Sequence, residues 1–222
     1  MRIVLAGTRS FGSAVLEQVL KDGHDVEAVF APVDDALHRR AVQLLIPAYP
    51  HVNAGLVRAA QADVGIAAHC HDFVGRESRG ATRLGWIGYH PSLLPRHRGK
   101  SSVEWTIRMG DPIAGGTVYW LDSGVDTGPI AKQDFCHVVP GWTANDLWRE
   151  KLFPMGVRLI RDTLADLDRG WLIALPQDQR VATTEPAIEP TKLHRPELPA
   201  IGPGPAGFEV VASLEHPILA PR

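Results

Sequence analysis

At 222 residues and 45% hydrophobic, the chain carries enough apolar mass for one good core and one domain with an appendage. A formal net charge of −2 excludes a surface built to coat nucleic acid or anionic membrane. Its two cysteines, Cys70 and Cys136, lie far apart without metal-ligand spacing, which fits a reducing compartment and no disulfide.

In chain order, "MRIVLAG" reads as a strand, Arg2–Ala6, entering a glycine turn, and not as a secretory leader. Phe11–Lys21 then places Val15, Leu16, Val19 and Leu20 at helical spacing. Val26–Phe30 is a second strand, and Asn53 is an N-cap for a helix to Gln61. Val64–Ala68 and Leu84–Tyr89 are further apolar runs. Ser101 and Ser102 open a helix through Met109, stopped by Gly110-Asp111-Pro112. Gly116–Leu121 and Ile130–Phe135 are β-like and flank the turn "DSGVDTG". Thr143 with Asp146 forms a capping box with Asp in place of Glu, opening a helix to about Leu167 that Pro154 should kink.

Strands apolar on both faces and alternating with helices predict an α/β fold: a mostly parallel, Rossmann-like sheet covered on both sides. Ligands of such folds bind beyond the carboxyl ends of the strands. Polar groups gather at those ends here, in Gly7–Ser10, His69–Asp72 and His90. From about Leu175 the composition changes, with nine of the 18 prolines in Pro176–Arg222. The division expected is therefore a catalytic domain over 1–174 and an extended Pro-rich tail over 175–222. No segment approaches the roughly 18 unbroken apolar residues of a membrane span, so a soluble cytoplasmic protein is the expectation.

Two stretches carry chemistry. In "GWIGYHPSLLPRHRG", His90 ends a buried strand, and Pro91 and Pro95 stiffen the backbone after it. A titratable imidazole in a rigid frame is what positioning catalysis needs, although a lone histidine at a strand end also has a purely structural reading. In "GGTVYWLDSGVDTGPI", Asp126 sits in a glycine-bracketed loop. Its carboxylate either caps its own turn or approaches His90, and spacing alone does not choose.

The two stretches together resemble the folate-dependent formyltransferase family, which embraces glycinamide ribonucleotide, methionyl-tRNA and sugar N-formyltransferases. The amino-terminal "RIVLAGTRSFGSAVLEQVLKDGHDVEAVF" and the later "PQDQRVATTEP" agree, so the resemblance spans roughly Met1–Pro190. It implies transfer of the formyl group of 10-formyltetrahydrofolate, a co-substrate, to a primary amine without a metal. It implies His90 as the proton-transfer and oxyanion-stabilising residue, with Asp126 as its partner. It also implies folate contacts from Asp72, Phe73 and Val74 and from Asp122, Ser123, Gly124 and Val125. The basic cluster Arg96, His97, Arg98 and Lys100 reads either as an anion grip, with Arg96 and Arg98 as substrate contacts, or as a solvated loop.

One position departs from the pattern. The family places asparagine two residues before the histidine, and here that residue is Gly88. On a strand, positions i and i+2 share a face, so Gly88 removes a donor beside His90 while Tyr89 points away. Losing one oxyanion donor costs about 10²–10³ in rate. Three accounts follow: His69 or His71 replaces the donor, water does so, or the chain binds folate with little or no transfer. A metal-hydrolase reading of His69, His71 and His90 lacks a placed carboxylate.

The acceptor expected is a small-molecule amine, with an amino-sugar nucleotide as the nearest bracket. A proline-rich, lightly charged tail offers no footprint for tRNA. Water as acceptor would make a 10-formyltetrahydrofolate hydrolase. "GTRSFG" matches neither a P-loop nor the dinucleotide fingerprint. Neither nucleic acid nor membrane is expected as a partner, and a homodimer is left open.

Overall fold

The computed structural model describes residues 1–188, 208–212 and 217–221. Seven strands make one sheet: β1 (Arg2–Gly7), β2 (Asp25–Phe30), β3 (Ala48–Tyr49), β4 (Val64–Ala68), β5 (Trp86–His90), β6 (Ile113–Trp120) and β7 (Ile130–His137). Their order is β3-β2-β1-β4-β5-β6-β7. The first five run parallel, whereas β6 is antiparallel to β5 and β7 to β6. The doubly wound, mostly parallel sheet expected from the sequence is present.

Burial explains the unbroken apolar run of β1, where Ile3, Val4, Leu5 and Ala6 are all fully buried. Alternation sends Ile3 and Leu5 to one layer and Val4 and Ala6 to the other. The first layer packs on α1 (Arg9–Lys21) through Phe11, Val15 and Leu16. The second contains Phe30, Trp86 and Val57 of α3 (Ala54–Ala60), after α2 (Ala36–Gln43). A single turn, α4 (Arg76–Arg79), precedes β5, and α5 (Ser102–Arg108) follows the loop after it. Asn53 caps α3 by accepting from the amides of Gly55 and Leu56.

The long carboxyl-side helix is interrupted, and the interruption is where proline chemistry puts it. Thr143 and Asp146 form the reciprocal capping box that opens α6 (Ala144–Leu147). A π-helical turn, Trp148–Leu152, then leads into α7 (Phe153–Asp168), with Pro154 in its first turn. Proline lacks the N–H and crowds the preceding turn, and a widened turn accommodates both defects. The Tyr89 hydroxyl donates to the Leu152 carbonyl at 2.7 Å, tying β5 to this helix.

One compact unit runs from Met1 to Ala187, and a second begins at Ile188. Leu175 exchanges both backbone hydrogen bonds with Ile130, and the Thr183 carbonyl accepts from Arg98 N, so this segment belongs to the first unit. In the second unit, β8 (Phe208–Ala212) and β9 (Pro217–Pro221) pair antiparallel. The rest of the expected tail lies outside the described residues. Among the described residues, no helix is long and apolar enough to cross a membrane.

Candidate active site

His90 stands at the carboxyl end of β5, on the same face as Trp86 and Gly88. It is 7% exposed. Its Nε2 lies 2.7 Å from the His97 carbonyl oxygen, and a carbonyl only accepts, so Nε2 carries the proton. Nδ1 faces Asp126 Oδ2 at 3.5 Å. One nitrogen is thus anchored on a carbonyl, and the other faces a carboxylate.

The loop after His90 is pinned from several sides. The buried Thr117 hydroxyl of β6 donates to the Ser92 carbonyl at 2.7 Å and accepts from Leu94 N at 3.1 Å. Gln133 of β7 donates to the Leu94 carbonyl and to Thr117 Oγ1. His97 is buried at φ 57°, with Nε2 2.8 Å from Asp111 and Nδ1 3.0 Å from Glu185. These contacts fix the carbonyl that anchors His90.

Asp126 approaches His90 and does not cap its own turn. The capping belongs to Asp122, whose Oδ1 accepts from Gly124 N at 3.0 Å and Thr127 Oγ1 at 2.7 Å. Asp126 sits at φ 53°, in the left-handed region that short polar residues tolerate. Its Oδ2 accepts from Gly99 N at 2.7 Å, and its Oδ1 accepts from the Tyr119 hydroxyl at 2.6 Å. Gln177 clamps the turn from outside, donating to the carbonyls of Asp126 at 2.9 Å and Gly128 at 2.7 Å.

Arg98 and Arg96 are both engaged within the protein. Arg98 is buried, and its Nε and Nη2 donate to Gln177 Oε1 while Nη1 donates to Gln179 Oε1. It therefore braces the Gln177 side chain that clamps the Asp126 turn. Arg96 makes a two-pronged pair with Asp111 at 2.9 and 2.8 Å. Burial would raise Asp111, but hydrogen bonds from Arg96 and His97 outweigh it and hold the carboxyl below its ordinary range. The Arg96 side chain remains 41% exposed.

Among the described residues, two larger cavities open near the carboxyl ends of the strands. One, of about 280 Å³, brings together Asp72, Phe73, Val74, Asp122, Gly124 and Val125, with Tyr119, His71 and Asp126 also in its wall. Ser123 occupies the same turn but does not line it. Asp72 also accepts from Val52 N and faces His51, which fixes the loop before Phe73. The other cavity, of about 390 Å³, is lined by Arg9, His69, Glu104, Asn145 and Trp148 among others. Burial, with the charges of His71 and Arg9, lowers His69 to about 4, so its ring is neutral at neutral pH. The His69 and His71 rings stand 4.9 Å apart. Among the described residues, no group of three or more His, Cys, Asp or Glu stands together for a metal ion.

The space beside Gly88 is taken by protein. A Cβ built there would stand 3.0 Å from Leu121 Cδ2 and 3.3 Å from Tyr119 Cε1. Residues 88 and 119 are direct cross-strand partners. The three atoms nearest such a Cβ belong to Leu121 and Tyr119. Tyr119, Gln177 and the role of Arg98 were missed by sequence reasoning; the β5–β6 register brings in Tyr119, and long-range side-chain hydrogen bonds bring in Gln177 and Arg98.

The formyl transferase family model matches residues 1–157. The chain belongs to the formyl transferase family. Among curated relatives, it is 34% identical over 203 residues to the cytosolic 10-formyltetrahydrofolate dehydrogenase of Xenopus laevis, covering 84% of this chain and 22% of that protein. It therefore spans about a fifth of that relative's length. The methionyl-tRNA formyltransferase of Acidobacterium capsulatum is 30% identical over 207 residues, covering 85% of this chain and 66% of the relative. Among solved structures, glycinamide ribonucleotide transformylase 1 from Symbiobacterium toebii superposes with a TM-score of 0.69 at 24% identity, covering 79% of this chain and 94% of that one. The N-formyltransferase from Helicobacter canadensis, solved with folinic acid and dTDP-3-aminofucose, gives a TM-score of 0.67 at 19% identity, covering 82% and 70%. These last two show a shared fold.

Proposed function

We propose that this formyl transferase domain takes the formyl group from 10-formyltetrahydrofolate and passes it to the primary amine of a small molecule. The observation that carries the reading is His90, anchored through Nε2 on the His97 carbonyl with Nδ1 turned to Asp126. Such an imidazole exchanges a proton at one defined atom without changing its orientation.

In the reaction, the amine nitrogen bonds to the formyl carbon, the bond from that carbon to N10 breaks, and one proton passes from the amine to N10. His90 accepts and returns that proton at Nδ1, and Asp126 stabilises the ring while it is charged. The cavity over Asp72–Val74 and Asp122–Val125 suits a flat bicyclic ring system with donors and acceptors on its edge. Exposed Phe73 and Val125 supply apolar contact, and the Asp122 carboxylate supplies an acceptor. The second cavity, with Glu104, Asn145 and neutral His69, is assigned to the acceptor. Arg96 keeps a proposed role toward an anionic part of the substrate through its exposed edge.

A second reading takes water as acceptor, prompted by a 34%-identical relative named as a 10-formyltetrahydrofolate dehydrogenase. The test is tetrahydrofolate release from 10-formyltetrahydrofolate, with and without a panel of amino-sugar nucleotides and other small amines. Amine-dependent release supports transfer, and amine-independent release of formate supports hydrolysis. Tight binding of 5-formyltetrahydrofolate with neither product would mean a folate-binding module.

A further inference from the structure

Tyr119 plays no part in the reaction as proposed above, yet it occupies the centre of the site. It lies on β6 directly opposite Gly88 of β5. Its ring rests on the face of Gly88 where a side chain would project, and that face also carries His90. It is 8% exposed, and its hydroxyl donates to Asp126 Oδ1 at 2.6 Å. The other carboxylate oxygen takes Gly99 N at 2.7 Å and faces His90 Nδ1 at 3.5 Å. The carboxylate is held at both oxygens, so it cannot turn without breaking a charge-assisted bond.

We propose that Tyr119 is a positioning residue for His90 acting through Asp126: its ring takes the room that Gly88 gives up, and its hydroxyl fixes the carboxylate against the imidazole. The consequence for turnover rests on the formyl-removal reading, whereas the link from Tyr119 to His90 does not. Glycine at 88 and tyrosine at 119 are then one device. A larger residue at 88 would displace the ring, and the ring is what carries the hydroxyl to Asp126.

The phenol suits the role. Burial, reinforced by the charge of Asp126 and the bond to it, pushes Tyr119 far above its ordinary range, so it remains a donor at working pH. A bond to the ionised form of a carboxylate spreads its charge and lowers its pull on a neighbouring proton. Removing the hydroxyl leaves that charge to be shared by Gly99 N and His90 only, so its pull on the imidazole proton grows. His90 on β5 and Tyr119 on β6 contact the Asp126 carboxylate, and Asp122 of the same loop with Cys70, His71 and Asp72 line the cavity it borders.

The test is Tyr119→Phe, which keeps the ring over Gly88 and removes only the hydroxyl. The reporter is the NMR titration of the His90 ring in the whole chain. We expect its midpoint to rise by about half a unit or more. The rise should vanish when Asp126→Asn is already present. Placing 3-fluorotyrosine at 119, a stronger donor of the same shape, should move the midpoint down. A midpoint that stays put in both Tyr119 variants would overturn the assignment and leave the tyrosine as packing only. If the wild type releases no tetrahydrofolate, the formyl-removal reading fails by itself while the titration still decides Tyr119. With turnover present, Tyr119→Phe should lower kcat about tenfold at nearly unchanged KM for 10-formyltetrahydrofolate, and shift the acid limb of the kcat profile in step with the NMR midpoint. An unchanged kcat and profile would contradict it.

Discussion

Tyr119 and Gly88 face one another across the β5–β6 pair, and the tyrosine ring lies over the bare backbone of the glycine. The missing side chain at 88 is therefore not a hole awaiting a donor. A Cβ there already meets Leu121 at 3.0 Å and the tyrosine ring at 3.3 Å, and an asparagine amide would need the space beyond. Gly88→Asn by itself should destabilise the domain by about 1–3 kcal/mol through overpacking and should not raise the rate. Denaturant unfolding alongside initial rates checks both. A faster, equally stable variant would show that the space is free.

His90 and Asp126 should each be indispensable to turnover. His90→Ala and Asp126→Ala are expected to lower formyl release about 10²–10⁴-fold with the fold retained by circular dichroism. Full activity in either variant would remove that residue from the reaction.

The Arg98–Gln177 pair gives a separate test, because neither residue needs to touch substrate. Gln177→Leu leaves the Asp126 and Gly128 carbonyls and part of the Arg98 guanidinium without their partner. Buried groups left unpaired in this way cost about 1–3 kcal/mol. A loosened Asp126 loop should also lower kcat on the order of 10–100-fold. Thermal unfolding together with kcat measures both, and a fall in stability with no fall in kcat would separate the clamp from catalysis.

His69 makes stability depend on pH with a defined sign. Its folded value, about 4, lies below the ordinary histidine value of 6.5. Between those values the unfolded chain binds a proton that the folded chain refuses, so stability is complete above about 6.5 and falls as pH drops toward 4. Thermal midpoints at pH 7.5 and 5 should show the loss, and His69→Gln should reduce it. A drop of the same size in the variant would place the cause elsewhere.

Much of the architecture was legible because burial writes itself into the strands: β1 and β4 are apolar on both faces, and the Asn53 and Thr143 caps lie where the sequence puts them. The two-residue β3 carries too little periodicity to declare itself, and α2 went unread although Leu37 and Ala41 are buried at i, i+4 behind an Asp35 cap. The motifs single out His90 and Asp126, but spacing left open whether Asp126 capped its own turn or approached His90, and the fold brings the two to 3.5 Å. The Tyr119–Gly88 contact depends on cross-strand register, and the Gln177 clamp joins residues 51 and 49 positions apart. Local sequence carries neither relation. A proline-rich composition marks extended chain without saying where it packs, and the hydrogen bonds of Leu175 and Thr183 to the first unit are not legible in it.

The central claim, that the His90 site removes the formyl group of 10-formyltetrahydrofolate, is tested most directly by following tetrahydrofolate formation by the purified chain, wild type beside His90→Ala. The account predicts steady release by the wild type, faster with the right small amine present, and loss of at least about 10²-fold in the variant. Equal release by both proteins, or none by the wild type with any amine or with water, would contradict it.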